Sequence, residues 1–273
     1  MSIIKLVILI ILFLIIILLI KNKSKLTNVN QEIIISLTTS PKRINKLENL
    51  FNTLSNQTIK PLKIVLNLVH VFKRNNTLFD KIPDFILNNE LVQINRCEDI
   101  GPSTKILPTV WLFKDNPETI IISVDDDIEY KNNLVELLLN YSNKYPDCVI
   151  TGESFMRLKD NYAELVEGYS SVLYKQKFLN GLNQQEVLNY PKYCYLADDF
   201  ILSNYLRKNN TKIVVLDNNK PYSNIYLDYG NDEDALRNGA HGESVNNMDN
   251  YKKCNNYLKK IDNLYINYFE KNL

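Results

Sequence analysis

The 273-residue chain is poor in glycine, with seven, and holds four cysteines, two histidines and one tryptophan. The cysteines (Cys97, Cys148, Cys194 and Cys254) are widely spaced and include no Cys-x-x-Cys pair. That argues against a zinc site and a disulfide scaffold, and two long-range disulfides would fit only a lumenal domain. An excess of one charge sign is also missing: 32 Lys+Arg against 31 Asp+Glu leave a net +1. Nucleic-acid-binding domains carry a clear basic excess, so nucleic acid is not the expected partner. Internal repeats are absent. Scarce glycine beside abundant Asn, Ile and Lys reflects an AT-rich coding sequence rather than a structural signal. What remains, 45% hydrophobic and 23% charged residues, suffices for one domain of moderate size with a full core.

One long apolar run stands out. Leu6 to Ile20 is unbroken and is extended by Ile3 and Ile4 around Lys5. With its flanks it is long enough to span a thin bilayer as a helix. No small-residue cleavage site follows; the next residues are Lys21-Asn22-Lys23-Ser24-Lys25. The expectation is an uncleaved transmembrane anchor over residues 1–22, a polar stalk over 23–31 and one domain over 32–273. Lys21, Lys23 and Lys25 against Lys5 put the domain on the cytoplasmic side by the positive-inside rule. Lumenal anchors share this layout, and the side stays open.

Within the domain, apolar periodicity predicts strands over 32–38, 63–69, 91–95, 120–124, 148–151 and 212–216. Helical spacing predicts helices over 44–55, 104–113, 132–145, 197–208 and 251–268. Strands alternate with helices in the first half, and the pattern loosens after residue 152 as tyrosines accumulate. This reads as an α/β sheet with a C-terminal elaboration.

The chemistry concentrates where the run Ile120-Ile121-Ile122-Ser123-Val124 empties into Asp125-Asp126-Asp127. A β-branched run of this kind reads as a buried central strand, and open α/β sheets bind ligands at the carboxyl ends of their strands. Three adjacent anions there call for a counter-charge, and hard Mg2+ or Mn2+ prefers oxygen ligands. The bland alternative is a solvated acidic turn capping the helix that begins near Asn132. A second acidic pair, Asp198-Asp199, opens the helix over 197–208; it reads equally well as an N-cap complementing the helix dipole. Basic residues follow the first strand (Lys42, Arg43) and precede the metal-site strand (Lys105). Of the histidines, His241 sits in a glycine-flanked loop, while His70 and the sole Trp111 read as structural.

Together these features resemble a glycosyltransferase of the GT-A fold, closest to glycosyltransferase family 2, over about residues 32–260. The resemblance implies a Rossmann-like nucleotide-diphospho-sugar transferase fold with a mixed central sheet. Asp125-Asp126-Asp127 matches the family's Asp-x-Asp motif. By that match Asp127 is the direct metal ligand, Asp125 lies near the metal or the donor ribose, and Asp125 and Asp126 belong to the donor site. Asp198-Asp199 resembles the Glu-Asp-x-x-Leu motif with Asp198 in place of glutamate, which makes Asp199 the base that deprotonates the acceptor in an inverting transfer. Arg43 and Lys105 would meet the diphosphate, His241 would add a metal ligand, and Glu167 to Tyr174 resembles the segment lining the acceptor pocket. Implied partners are a nucleotide sugar, a glycan or glycoprotein acceptor and, through the anchor, a membrane. Two other classes stand beside this one. One is an anchored glycan-binding or structural protein with a degenerate transferase fold. The other, a metal-dependent phosphohydrolase, lacks its Asp-x-Asp-x-Thr/Val pattern at the first strand.

Overall fold

Eight strands, the central ones apolar and largely β-branched, pair into one mixed sheet in the computed structural model, which describes residues 32–79, 81–216, 226–229 and 247–262. In chain order the elements are β1 (Ile33–Thr38), α1 (Glu48–Ser55), β2 (Lys63–Val69), α2 (Asp84–Leu87), β3 (Val92–Cys97), α3 (Leu107–Leu112), β4 (Ile120–Ser123), β5 (Ile128–Tyr130), α4 (Leu134–Lys144), β6 (Cys148–Thr151), β7 (Tyr162–Ala163), β8 (Val172–Lys175), α5 (Gln184–Leu188), α6 (Asp198–Lys208), β9 (Lys212–Val215), β10 (Tyr226–Tyr229) and α7 (Asn247–Asp262). The chain divides into Met1–Gln31 and Glu32–Leu273, and the described residues all belong to the second unit. The expected anchor and His241 lie outside the described residues. Among the described residues no helix is long and apolar enough to cross a membrane.

The sheet runs β3-β2-β1-β4-β8-β6-β9-β7. Its first four strands are all parallel, in the order of a doubly wound nucleotide-binding half. β8 then enters antiparallel to both β4 and β6, which makes the sheet mixed and Rossmann-like. β5 and β10 form a separate two-stranded ribbon.

Alternation along the strands sends neighbours to opposite faces. Ile33, Ile35, Ile64, Leu66, Ile120 and Ile122 join one core with Leu50, Phe51, Leu134 and Leu138 of α1 and α4. Ile34, Val65, Ile121 and Tyr174 join a second with Leu107, Val110, Phe200, Ile201 and Leu206 of α3 and α6. Helices thus cover both faces, which is why the central strands read as continuous apolar runs rather than as alternating ones.

Several expectations are corrected by packing. The helix over 44–55 is split: a 3-10 turn at Ile44–Lys46 precedes α1. The helix over 104–113 likewise opens as a 3-10 turn at Ser103–Lys105. α2, α5, β5, β7, β8 and β10 were not legible, being short and set by pairing rather than by periodicity. Cys194 and Cys254 form a disulfide, while Cys97 and Cys148 are free. His70, expected as structural, has an exposed side chain just after β2, and its backbone N–H donates to the Cys97 carbonyl at 3.0 Å. Trp111 is partly buried against the second core and donates its ring N–H to the Leu182 carbonyl at 2.8 Å.

Candidate functional site

Register decides which loops meet. β4 lies one-for-one beside β1, Ile33↔Ile120 through Ser36↔Ser123, so the acids two to four residues beyond Ser123 emerge level with Thr38, Thr39 and Ser40. Because β8 is antiparallel, with Ser123 opposite Val172, the segment before β8 reaches the same edge. β6 ends there too, Thr151 pairing with Val172. Three loops and the start of α6 therefore converge at one sheet edge.

A cleft at this edge is lined by Thr38, Thr39, Arg43, Arg74, Asp99, Lys105 and Asp125 to Asp127, among others. Its cavity volume is about 120 Å3, which suits a phosphate-sized group. Arg74 also lines an adjoining cavity of about 780 Å3 walled by Tyr190, Tyr193 and Tyr195.

The acids do not share one partner. Asp126 is held by Arg43, whose Nε lies 2.9 Å from Oδ2 and whose Nη2 meets Oδ1. Burial nonetheless raises the Asp126 carboxyl pKa against the pull of Arg43. Asp125 Oδ1 accepts from Lys105 Nζ at 2.8 Å, and the Asp125 N–H donates to the Tyr130 hydroxyl at 2.9 Å. Asp127 is the loosely paired one, 3.7 Å from Arg43 Nη1. Burial, with Asp125 and Asp126 adding repulsion, pushes its pKa up to about 6.

Lys105 is the hinge of the arrangement. Its ammonium reaches Asp125 on one side and Asp198 Oδ2, at 3.6 Å, on the other. Burial alone would lower its pKa, but Asp125, Asp198 and Asp199 outweigh this and hold it well above the ordinary lysine value. A buried polar network seats it. Ser36 Oγ donates to the Lys105 carbonyl at 2.6 Å, and the Asn67 amide donates to Ser36 and Thr109 at 3.2 and 3.0 Å. Gly168 leaves room for the ammonium, since a Cβ there would overlap Lys105 Nζ and press on Asp199 Oδ1.

Asp198 and Asp199 open α6, whose N-cap is Ala197 without a side-chain cap bond. Asp198 is buried and its Oδ2 has no hydrogen bond beyond the ion pair with Lys105. Asp199 Oδ1 accepts the Gly168 N–H at 2.9 Å. Burial, then its neighbour Asp198, holds the Asp199 pKa well above the ordinary carboxyl range, with Lys105 opposing. The pair thus sits in the first turn of α6 with Asp198 turned to Lys105 and Asp199 to Gly168, and the triplet lies between β4 and β5 rather than capping α4.

Sequence reasoning missed Asp99 and Arg74. Asp99 is buried and organises the rim, accepting from the Gly101 N–H, the Tyr195 hydroxyl and the Lys73 N–H at 2.8, 2.6 and 2.8 Å. Arg74 lies over the Phe72 ring, and its Nε is buried without a hydrogen-bond partner. Burial draws its pKa down, with Tyr195, Asp99 and Asp126 opposing. The Asp-Ile-Gly-Pro run was the available signal for Asp99; nothing local marks Arg74.

Among the described residues, no three His, Cys, Asp or Glu side chains converge into a metal site of their own. Mg2+ sites are commonly made by one or two carboxylates completed by substrate phosphates. Asp127, carboxylate-bearing, under-compensated and on the cleft wall, fits that donor set. Asp125 and Asp126 are already engaged by cations.

No protein-family model matches the chain, and no curated protein does. Among solved structures it is similar to S. aureus TarS 1–349 in complex with UDP, at 14% identity and a TM-score of 0.45, over 69% of this chain and 58% of that one. It is also similar to S. aureus TarS 1–349 in complex with UDP-GlcNAc, at 12% identity and a TM-score of 0.45, over 86% of this chain and 74% of that one. A longer S. aureus TarS structure aligns at 17% identity and a TM-score of 0.42, over 68% of this chain and 35% of that one. The chain thus spans little more than half of the first of these structures, and at such scores the functional reading rests on the site itself.

Proposed function

We propose that the protein is a membrane-anchored glycosyltransferase of the GT-A type, moving a sugar from a nucleotide-diphospho-sugar to a glycan or glycoprotein hydroxyl with inversion. The observation that carries the reading is the Lys105 bridge, which joins an acid triplet at a strand end to a second acid pair at a helix start. Transfer needs those two stations. One meets the negative charge that grows on the departing diphosphate, and the other takes a proton from the attacking hydroxyl.

Asp199 is the base. It accepts the acceptor's proton as the new oxygen–carbon bond forms and the bond to the diphosphate breaks on the opposite face. Its raised pKa makes it a stronger base than an ordinary carboxylate. The Gly168 N–H holds it in place with Lys105 opposing its charge, and the Arg74 guanidinium on the cleft wall suits the diphosphate. A Mg2+ or Mn2+ ion at Asp127 would supply Lewis-acid neutralisation of that diphosphate.

The test is nucleotide release and sugar transfer by the purified domain with Mn2+ across UDP- and GDP-sugars. UDP-GlcNAc goes first because a similar structure holds it. Asp127→Ala should abolish metal-dependent release, and Asp199→Ala should abolish transfer. Release that survives Asp127→Ala removes the metal assignment. Transfer that persists in Asp199→Ala removes the base. Glycan binding without turnover on any donor would favour the degenerate, lectin-like alternative.

A further inference from the structure

The loop after β6 carries the most exposed large hydrophobic side chain among the described residues: Phe155, at 68%. An aromatic ring left in solvent on a loose loop would mean little, but this loop is fastened. The Phe155 N–H donates to Glu167 Oε1 at 2.5 Å, and the Glu153 N–H donates to Ser170 Oγ at 2.9 Å. Ser170 Oγ in turn donates to the Glu167 carbonyl at 2.7 Å. The next residue, Gly168, is the one whose N–H holds Asp199. Two consecutive residues therefore tie Phe155 and the proposed base to one rigid turn.

Around the ring stand groups suited to a sugar. Tyr169 lies 6.4 Å from Phe155, centroid to centroid and tilted by 34°, and its hydroxyl donates to Glu153 Oε2 at 3.2 Å. Glu167 is only 3% exposed and anchors the loop from beneath the ring through the Phe155 N–H. Aromatic faces take the C–H face of a pyranose, and carboxylates accept its hydroxyls. The charge beside the ring is acidic: Glu153 and Glu167 lie close together, opposed by Arg157, whose Nη1 donates to the Leu216 carbonyl.

We infer that Phe155, with Tyr169 and Glu153, forms the acceptor subsite, and that the acceptor is a neutral, hydroxyl-rich saccharide rather than an acidic or phosphorylated one. The inference rests on the transfer reaction proposed above and names its second substrate.

The test uses the donor that gives nucleotide release, with methyl glucoside and methyl glucuronoside as acceptor probes. Phe155→Ala should raise the KM for methyl glucoside about tenfold with kcat nearly unchanged, and Phe155→Trp should restore it. Leu78→Ala, an exposed site outside the cleft, is the control and should move neither constant. Methyl glucuronoside should be the poorer acceptor. An unchanged KM in Phe155→Ala, or a preference for the glucuronoside, overturns the inference. If no donor is turned over, it is the transferase reading that fails. The subsite is then judged by saturation-transfer NMR with methyl glucoside, where a signal lost in Phe155→Ala supports it and no signal in the wild type removes it.

Discussion

Lys105 illustrates how one residue can join two halves of a site. Its ammonium is buried among Asp125, Asp198 and Asp199, so Lys105→Met would strand carboxylates without counter-charge. Breaking a buried ion pair from one side costs about 3–5 kcal/mol, and chemical denaturation should read a loss of that order. Gly168→Ala tests the same contact from the other side. The added Cβ meets the Lys105 ammonium and Asp199, so a loss of about 1–3 kcal/mol, as for overpacking, is expected, together with reduced transfer. Glu167 gives a pH signature. Burial raises its pKa from 4.5 to about 7. The fold therefore binds this proton more tightly than the unfolded chain, and stability contributed by the protonated carboxyl is lost as pH rises from about 4.5 to about 7. Thermal unfolding of Glu167→Gln across that window should show a flatter profile than wild type, with the two curves parallel below it.

At the scale of elements, the tie between the Cys194 turn and α7 matters most. Cys194 and Cys254 are both fully buried and lie 60 residues apart in sequence. Closing a loop of that length is worth about 4 kcal/mol in the chain-entropy account. The Cys194→Ser/Cys254→Ser variant, or wild type in reductant, should unfold at lower denaturant by roughly that amount. The same turn carries Tyr195, whose hydroxyl bonds Asp99 on the cleft rim, so reduction should also weaken nucleotide-sugar binding, read as a rise in donor KM.

For the molecule as a whole, the apolar run over residues 1–22 and the disulfide bear on different questions. The first predicts that the full chain resists alkaline extraction from membranes and that removing residues 1–31 releases it. The second concerns the side. Disulfides persist in oxidising compartments, so sealed vesicles should protect the domain from added protease, against the weak lysine bias of the flanks. A domain digested in intact vesicles would restore the cytoplasmic orientation.

Much of the sheet was legible because its information is local. Buried parallel strands such as β1, β2 and β4 must be continuous apolar runs, and the acids after β4 break that run abruptly. The short and irregular pieces were not legible. β8 is four residues of no distinctive pattern, and its antiparallel entry beside β4 is a matter of pairing alone. Yet that entry is what carries Gly168 to Lys105 and Glu167 to Phe155. The sequence by itself determined the kind of chemistry: paired carboxylates at a strand end, with basic residues before and after. Only the tertiary structure decided the partners, setting Arg43 on Asp126, Lys105 between Asp125 and Asp198, and Arg74 and Asp99 on the cleft wall. The physical reason is that charge type is written in each residue, whereas burial and distance, which set what a charge does, arise only when strands distant in sequence are brought into register.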